Sequence, residues 1–178
     1  MVKPISRRIF LITAAVTGTG LLFANREELL KSQDDLSIDK IIAKLRQLKE
    51  GAVHQSTGTW DVAKIFSHCA QSIEMSITGY PEHKSPVFKL TVGSLAFSAF
   101  NAKGQMTHSL DEPIPGAPML PADVDLTESY NRLITALNNF QIYNGRLAEH
   151  FAYGLLTKDE YERAHVMHIL NHLTEITS

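Results

Sequence analysis

Cysteine is nearly missing from this chain: Cys69 is the one thiol in 178 residues, so an intramolecular disulfide framework is excluded. Charge of either sign is also in short supply. Seventeen lysines and arginines stand against 19 aspartates and glutamates, a formal net charge of −2 with neutral histidines. With no positive surplus, and no basic cluster after residue 26, the sequence carries no electrostatic footprint for DNA or RNA, and nucleic acid is not an expected partner. Sustained strand-like alternation, internal repeats and low-complexity tracts are absent too, which leaves helical periodicity as the organising pattern. The length suits one domain with a sizeable core, and 44% hydrophobic with 20% charged residues is an ordinary soluble balance.

What the chain has in excess is histidine, eight in all. Three of them, His165, His168 and His172, crowd into the stretch YERAHVMHILNHLTEI, residues Tyr161 to Ile176. Spacings of three and four residues bring them to one face of a helix, and the i, i+4 pair His168 and His172 has the better geometry for a shared metal ion. One more imidazole from another helix would complete three protein donors with a vacant position, the arrangement of catalytic zinc centres. His68 is the candidate for that third ligand.

The N-terminus reads as a targeting segment. Lys3, Arg7 and Arg8 precede the uncharged run Ile9 to Ala24, and residues 1–24 are expected to be a signal peptide. The run is 16 residues, diluted by three threonines and two glycines, and falls short of the roughly 20 that span a bilayer as a helix. SRRIFL at Ser6 to Leu11 resembles the twin-arginine export signal, which implies a folded, exported and periplasmic protein. The alternative is an uncleaved N-terminal anchor, the one part of the chain with a route to a membrane. Residues 25–36 are a linker, and the folded domain is expected over 37–178.

Within that domain, Ile38, Ile41, Ile42, Leu45 and Leu48 recur at helical spacing behind a Ser37 cap, and Gly51 ends the helix. A second helix is expected after a Thr59 cap, with Asp61 in its first turn, ending at Gly79-Tyr80-Pro81. Its apolar stripe is Val62, Ile65, Phe66, Cys69, Ile73 and Ile77, with His68 on the flank. Ser85-Pro86 opens a weaker third helix with a stripe of Phe88, Val92, Leu95, Ala99 and Phe100. Residues Asn101 to Pro121, with IPGAP from Ile114 to Pro118, form a long loop of the kind that covers something. Asp125 and Glu128 open the next helix, which carries Leu126, Tyr130, Leu133, Ile134, Leu137 and Phe140. Thr157 and Glu160 open the last, which is expected to run to the C-terminus. Its stripe is Val166, Ile169, Leu173 and Ile176, with His168 and His172 at the flank. The class is all-α: a four-helix bundle with an additional short helix and a long Pro/Gly loop. Metal sites in such bundles are built from side chains on facing helices.

SHCAQSIEMSITGYP, IPGAP, EHFAYGLLTKDEYERAH and HILNHL together resemble the DinB-like (YfiT-like) metal-binding four-helix bundles, in a branch that is a domain of unknown function. The resemblance runs from about Trp60 to the C-terminus. It implies one divalent metal held by a histidine on the second helix and an H-x-x-x-H pair on the last, which fall on His68, His168 and His172. Relatives often follow the last histidine with a polar run ending in glutamine, whereas this chain has Leu173-Thr174-Glu175, so no role for that glutamine carries over.

A vacant position on such a centre can activate water or polarise a small substrate, and some relatives use it to activate a thiol for transfer. The resemblance thus implies metal-dependent hydrolysis or thiol transfer; the alternative is a non-enzymatic binding module with a structural metal or none. Imidazole suits zinc, nickel, iron and copper alike, so the ion is open. His165 is a candidate fourth ligand, neighbour to the ligands or proton relay, and His150 a candidate at the cleft rim; neither is assigned a catalytic role. Cys69 is read as a small buried apolar residue, Glu74 and Glu175 as solvated, Trp60 and Tyr80 as packing groups. His54, His83 and His108 sit in turn-like sequence and are given no role. A homodimer through exposed helix faces is a further expectation.

Overall fold

The structure, a computed structural model, describes residues 36–50 and 55–177. The expected signal segment, nearly all of the linker, Gly51 and His54 lie outside the described residues. The rest is mostly helical: α1 (Ile38–Glu50), α2 (Val62–Thr78), α3 (Pro86–Phe88), α4 (Ser94–Lys103), α5 (Leu126–Ile142) and α6 (Lys158–Leu173). A π-helical turn, Lys89–Gly93, joins α3 to α4. Two short strands, β1 (Gln55–Ser56) and β2 (Ile176–Thr177), pair antiparallel, with Gln55 opposite Thr177. No helix among the described residues is long and apolar enough to cross a membrane.

The helix starts follow from capping chemistry. Ser37 Oγ accepts from Lys40 N at 3.4 Å and Ser85 Oγ from Phe88 N at 3.2 Å, each meeting an amide that the helix itself leaves unpaired. Asp125 accepts from Glu128 N at 3.0 Å. Thr157 and Glu160 form the full reciprocal box, with Glu160 N donating to Thr157 Oγ1 and Thr157 N to Glu160 Oε2. One cap is corrected. Asp61, not Thr59, caps α2, accepting from Lys64 N at 2.7 Å, because Trp60 turns into the core and the helix begins only after it.

α2 is the central element, packed on α5 and α6. Every residue from Ile65 to Ile73 is buried, so the flank position expected of His68 is not found: this part of α2 has no solvated side. Ile38, Ile41, Ile42 and Leu45 of α1, Leu133, Leu137 and Phe140 of α5, and Tyr161, Val166 and Ile169 of α6 close the core around it. Arg132 of α5 makes a bidentate pair with Glu74 of α2 at 2.6 and 2.9 Å, so Glu74 is a cross-helix partner rather than a free surface charge.

Three further expectations need correction. The stripe predicted for the third helix is wrong, since Val92 and Leu95 are 57% and 71% exposed, while Lys89, Gly93 and Phe97 are buried. The π turn shifts the register of the helix, and Gly93 is where it meets the 150s loop: a Cβ there would collide with the Ala152 carbonyl oxygen. That helix also runs on through Lys103 before Gly104, in the left-handed conformation with φ 68, starts the long loop. At the other end of the chain α6 does not continue to the C-terminus. It stops at Leu173, and β-branched Ile176 and Thr177 leave as the strand that pairs with β1.

Candidate metal centre

His68 comes from the middle of α2, and His168 and His172 from the last two turns of α6. The packing of those helices turns the three rings toward one point. Nε2 of His168 lies 3.2 Å from Nε2 of His68 and 3.1 Å from Nε2 of His172. The ligand atoms of all three residues lie within 4.8 Å of one another. His172 is fully buried rather than at a flank, His68 nearly so, and His168 is half-buried.

Hydrogen bonding among the rings does not account for this cluster. A neutral imidazole carries one proton, so His168 Nε2 can supply at most one of the two nitrogens beside it. His68 Nδ1 and His172 Nδ1 are both buried without a partner. Two nitrogens bound to one tetrahedral zinc at roughly 2.0–2.1 Å stand about 3.3–3.4 Å apart, close to the spacing here. The donors therefore fit a divalent cation, which would convert converging lone pairs into bonds.

Trp60 forms one wall, edge-on to His68 at 4.9 Å between centroids and stacked on His172 at 6.2 Å. Burial holds the rings neutral, the form a metal needs. It lowers the His68 pKa to about 4, assisted by His108 and Lys64, and that of His172 to about 3, assisted by His68 and His108. His168 is pushed well below its usual range, first by burial and then by the other imidazoles. Cys69, one residue from His68, is buried and its thiol pushed up by burial, so it is an inert packing group.

A cavity of about 180 Å³ opens beside His68 and His168, roofed by the Ser109–Pro115 part of the long loop. The loop is tied down at two places. Gln71 Nε2 donates to Pro118 O at 2.9 Å, and the Asn171 carboxamide, with its oxygen toward the His108 amide, accepts from His108 N and donates to Met106 O, both at 3.3 Å. Met106, Ile114, Phe151, Tyr153 and Ala164 make much of the wall apolar, with Lys84, Ser109 and Glu112 as polar groups.

His165 and His150 line the same cavity and stand apart from the cluster of three. Ser76 Oγ gives its proton to Ile73 O at 2.6 Å, so it accepts from His165 Nε2 at 3.1 Å. His150 sits at a tight turn where its own backbone pairs with Gly154, and its Nδ1 accepts from Ala152 N and Tyr153 N, each at 3.1 Å. The remaining proton of neutral His150 is therefore on Nε2. Burial lowers the pKa of both to about 3.

Sequence reasoning gave no role to His108, which the structure places with its ring 4.9 Å from His168 and 5.2 Å from His172. The only signal was its membership of the histidine-rich composition. Glu175, expected to be solvated, has its Oε2 buried without a partner and its carboxylate packed on Gly58. His83 is exposed and meets Lys89, which is buried and paired with Glu149 at 2.9 Å.

These features define a helical protein with three imidazoles converging beside a small covered cavity, an arrangement compatible with a bound divalent cation. The chain belongs to the family described as Protein of unknown function (DUF1569), which it matches over residues 27–178. No curated protein and no solved structure matches it.

Proposed function

We propose that this is an exported, metal-dependent protein with the DinB-like four-helix architecture, in which His68, His168 and His172 hold one divalent cation. The observation that carries the reading is the convergence of three neutral imidazoles through their Nε2 atoms, two of them 3.1 and 3.2 Å from the third. The cavity under the loop is the place for a small substrate, and the reaction class is hydrolysis or thiol transfer. A bound zinc, nickel or iron ion would supply a Lewis acid and a lowered pKa for a coordinated water or thiol.

The chain's own residues would then do three things. Apolar side chains around Phe151 and Met106 exclude water from the reacting group. His150, fixed with its proton on Nε2, can donate a hydrogen bond to a substrate oxygen, and as a neutral imidazole it keeps that proton and acts as a polarising donor. His165, held by Ser76, keeps the wall beside His168 in place.

Elemental analysis of protein made without a polyhistidine tag tests the centre. About one equivalent of divalent metal per chain is expected, and His68→Ala or His172→Ala should remove most of it; equal metal content in both variants and the parent would sink the assignment. Export rests on Arg7 and Arg8 ahead of the Ile9 to Ala24 run. A double lysine variant should stay inside the cell, and one that leaves at the parental rate would remove the twin-arginine reading.

A further inference from the structure

The metal reading uses three imidazoles, but a fourth stands against them. His108 lies on the loop that roofs the cavity, and its ring centroid is 4.9 Å from that of His168 and 5.2 Å from that of His172. The three rings of the cluster are 4.8 to 5.0 Å apart, so His108 approaches two of them, His168 and His172, at nearly the spacing they keep with each other.

Its tautomer is also fixed. Nδ1 is 2.6 Å from Ser109 O, a carbonyl that can only accept, so Nδ1 carries a proton and, in the neutral ring, Nε2 keeps the lone pair. That Nε2 is buried and has no hydrogen-bond partner. A backbone carbonyl on the far nitrogen is how metal-bound histidines are usually oriented, and here the fourth ring has that support while the near nitrogen is vacant. The loop backbone beneath it is held by Asn171, which immediately precedes His172 on α6. Asn171 thus fixes the loop backbone and Ser109 O the ring's proton, and Nε2 is left unpartnered.

We propose that His108 Nε2 is the fourth ligand of the resting metal centre, delivered by the loop that covers the cavity. This deepens the three-histidine reading and rests on it. His108 is outside the set whose ligand atoms fall within 4.8 Å of one another, so ligation requires its ring to move toward them. The consequence would be chemical: at rest an exchangeable imidazole would occupy the coordination site a substrate needs, and a small thiol would enter as its thiolate by displacing it, with the thiol proton passing to the freed His108 Nε2 or to water. Loop position and metal access are then one event, and the covering loop becomes a gate whose latch is the metal bond.

X-ray absorption and visible spectra of zinc- and cobalt-loaded protein test this, with 2-mercaptoethanol as the entering probe. The parent should show four imidazole scatterers and His108→Ala three. His108→Ala should still bind one equivalent of metal, more weakly by about tenfold or more, and should take up the thiol at lower concentration than the parent. Three imidazoles in the parent, with an unchanged spectrum and thiol affinity in His108→Ala, would overturn the fourth-ligand assignment and leave the three-histidine site standing. A parent that binds no metal, like His68→Ala, would overturn both. Circular dichroism of His108→Ala checks that the helices are intact, and His108→Gln, which keeps bulk on the loop but lacks the imidazole, should behave as the alanine variant does.

Discussion

His165 and His172 are seven residues apart on α6, both buried, both held neutral with pKa values lowered to about 3. By burial and charge they are the same residue twice. Their hydrogen bonding separates them. His165 gives its Nε2 proton to Ser76, and Nδ1 of His150, which lines the same cavity, is likewise satisfied by two backbone amides. His172 has an unpaired Nδ1 and an Nε2 pressed against another imidazole nitrogen. A core histidine that the fold has satisfied is structure; one whose lone pair meets others is a site awaiting something with positive charge. The lesson is that depressed pKa values alone do not locate the centre, because burial depresses them on both sides of the comparison.

The largest effect that tests this contrast is on stability without metal. In chelator-treated protein His165→Ala should cost about 2–4 kcal/mol, since it opens a cavity and removes the buried hydrogen bond that His165 gives to Ser76 Oγ. His172→Ala should cost less although its ring is as well buried, because it also removes an orphaned Nδ1 and relieves the crowding at His168. Urea unfolding measures both. If His172→Ala proves the costlier of the two, the distinction between satisfied and unsatisfied rings is broken. Metal content should invert the order, with His165→Ala retaining what His172→Ala loses.

A smaller effect sharpens the comparison through pH. His150 and His165 refuse protons in the folded state down to about 3, while the unfolded chain takes them up below the ordinary value of 6.5. Their contribution to stability is therefore complete above about 6.5 and is lost progressively as pH falls toward about 3. Replacing His165 by alanine should reduce the steepness of that loss by up to about 1.4 kcal/mol per pH unit. Unfolding free energies at several pH values between those limits measure it, and a variant as steep as the parent would show that this ring is not the buried neutral group described.

Local signals were legible and distant ones were not. Helix positions followed from apolar spacing and from caps such as Thr157 with Glu160, because each depends on residues within one or two turns. The pairing of His168 with His172 was legible for the same reason. His68 required a second helix to face α6, which a resemblance supplied and periodicity did not. His108 was missed because its place depends on the path of an irregular loop and on Asn171, more than 60 residues away. The π turn was missed because Gly93 reads as a weak point in a helix. Its reason, the close approach of Ala152, lies on another segment. The β1–β2 pair is two residues a side, too short to leave an alternating pattern.

Trp60 is the only tryptophan in the chain, and it lies face to face with His172 and edge-on to His68. The molecule thus carries its own optical reporter beside the rings that matter. A paramagnetic ion such as divalent copper arriving there would quench the indole emission, whereas zinc would leave that pathway closed. Occupancy can be followed in unlabelled protein at micromolar concentration, and the two ions can be told apart by the light they leave behind.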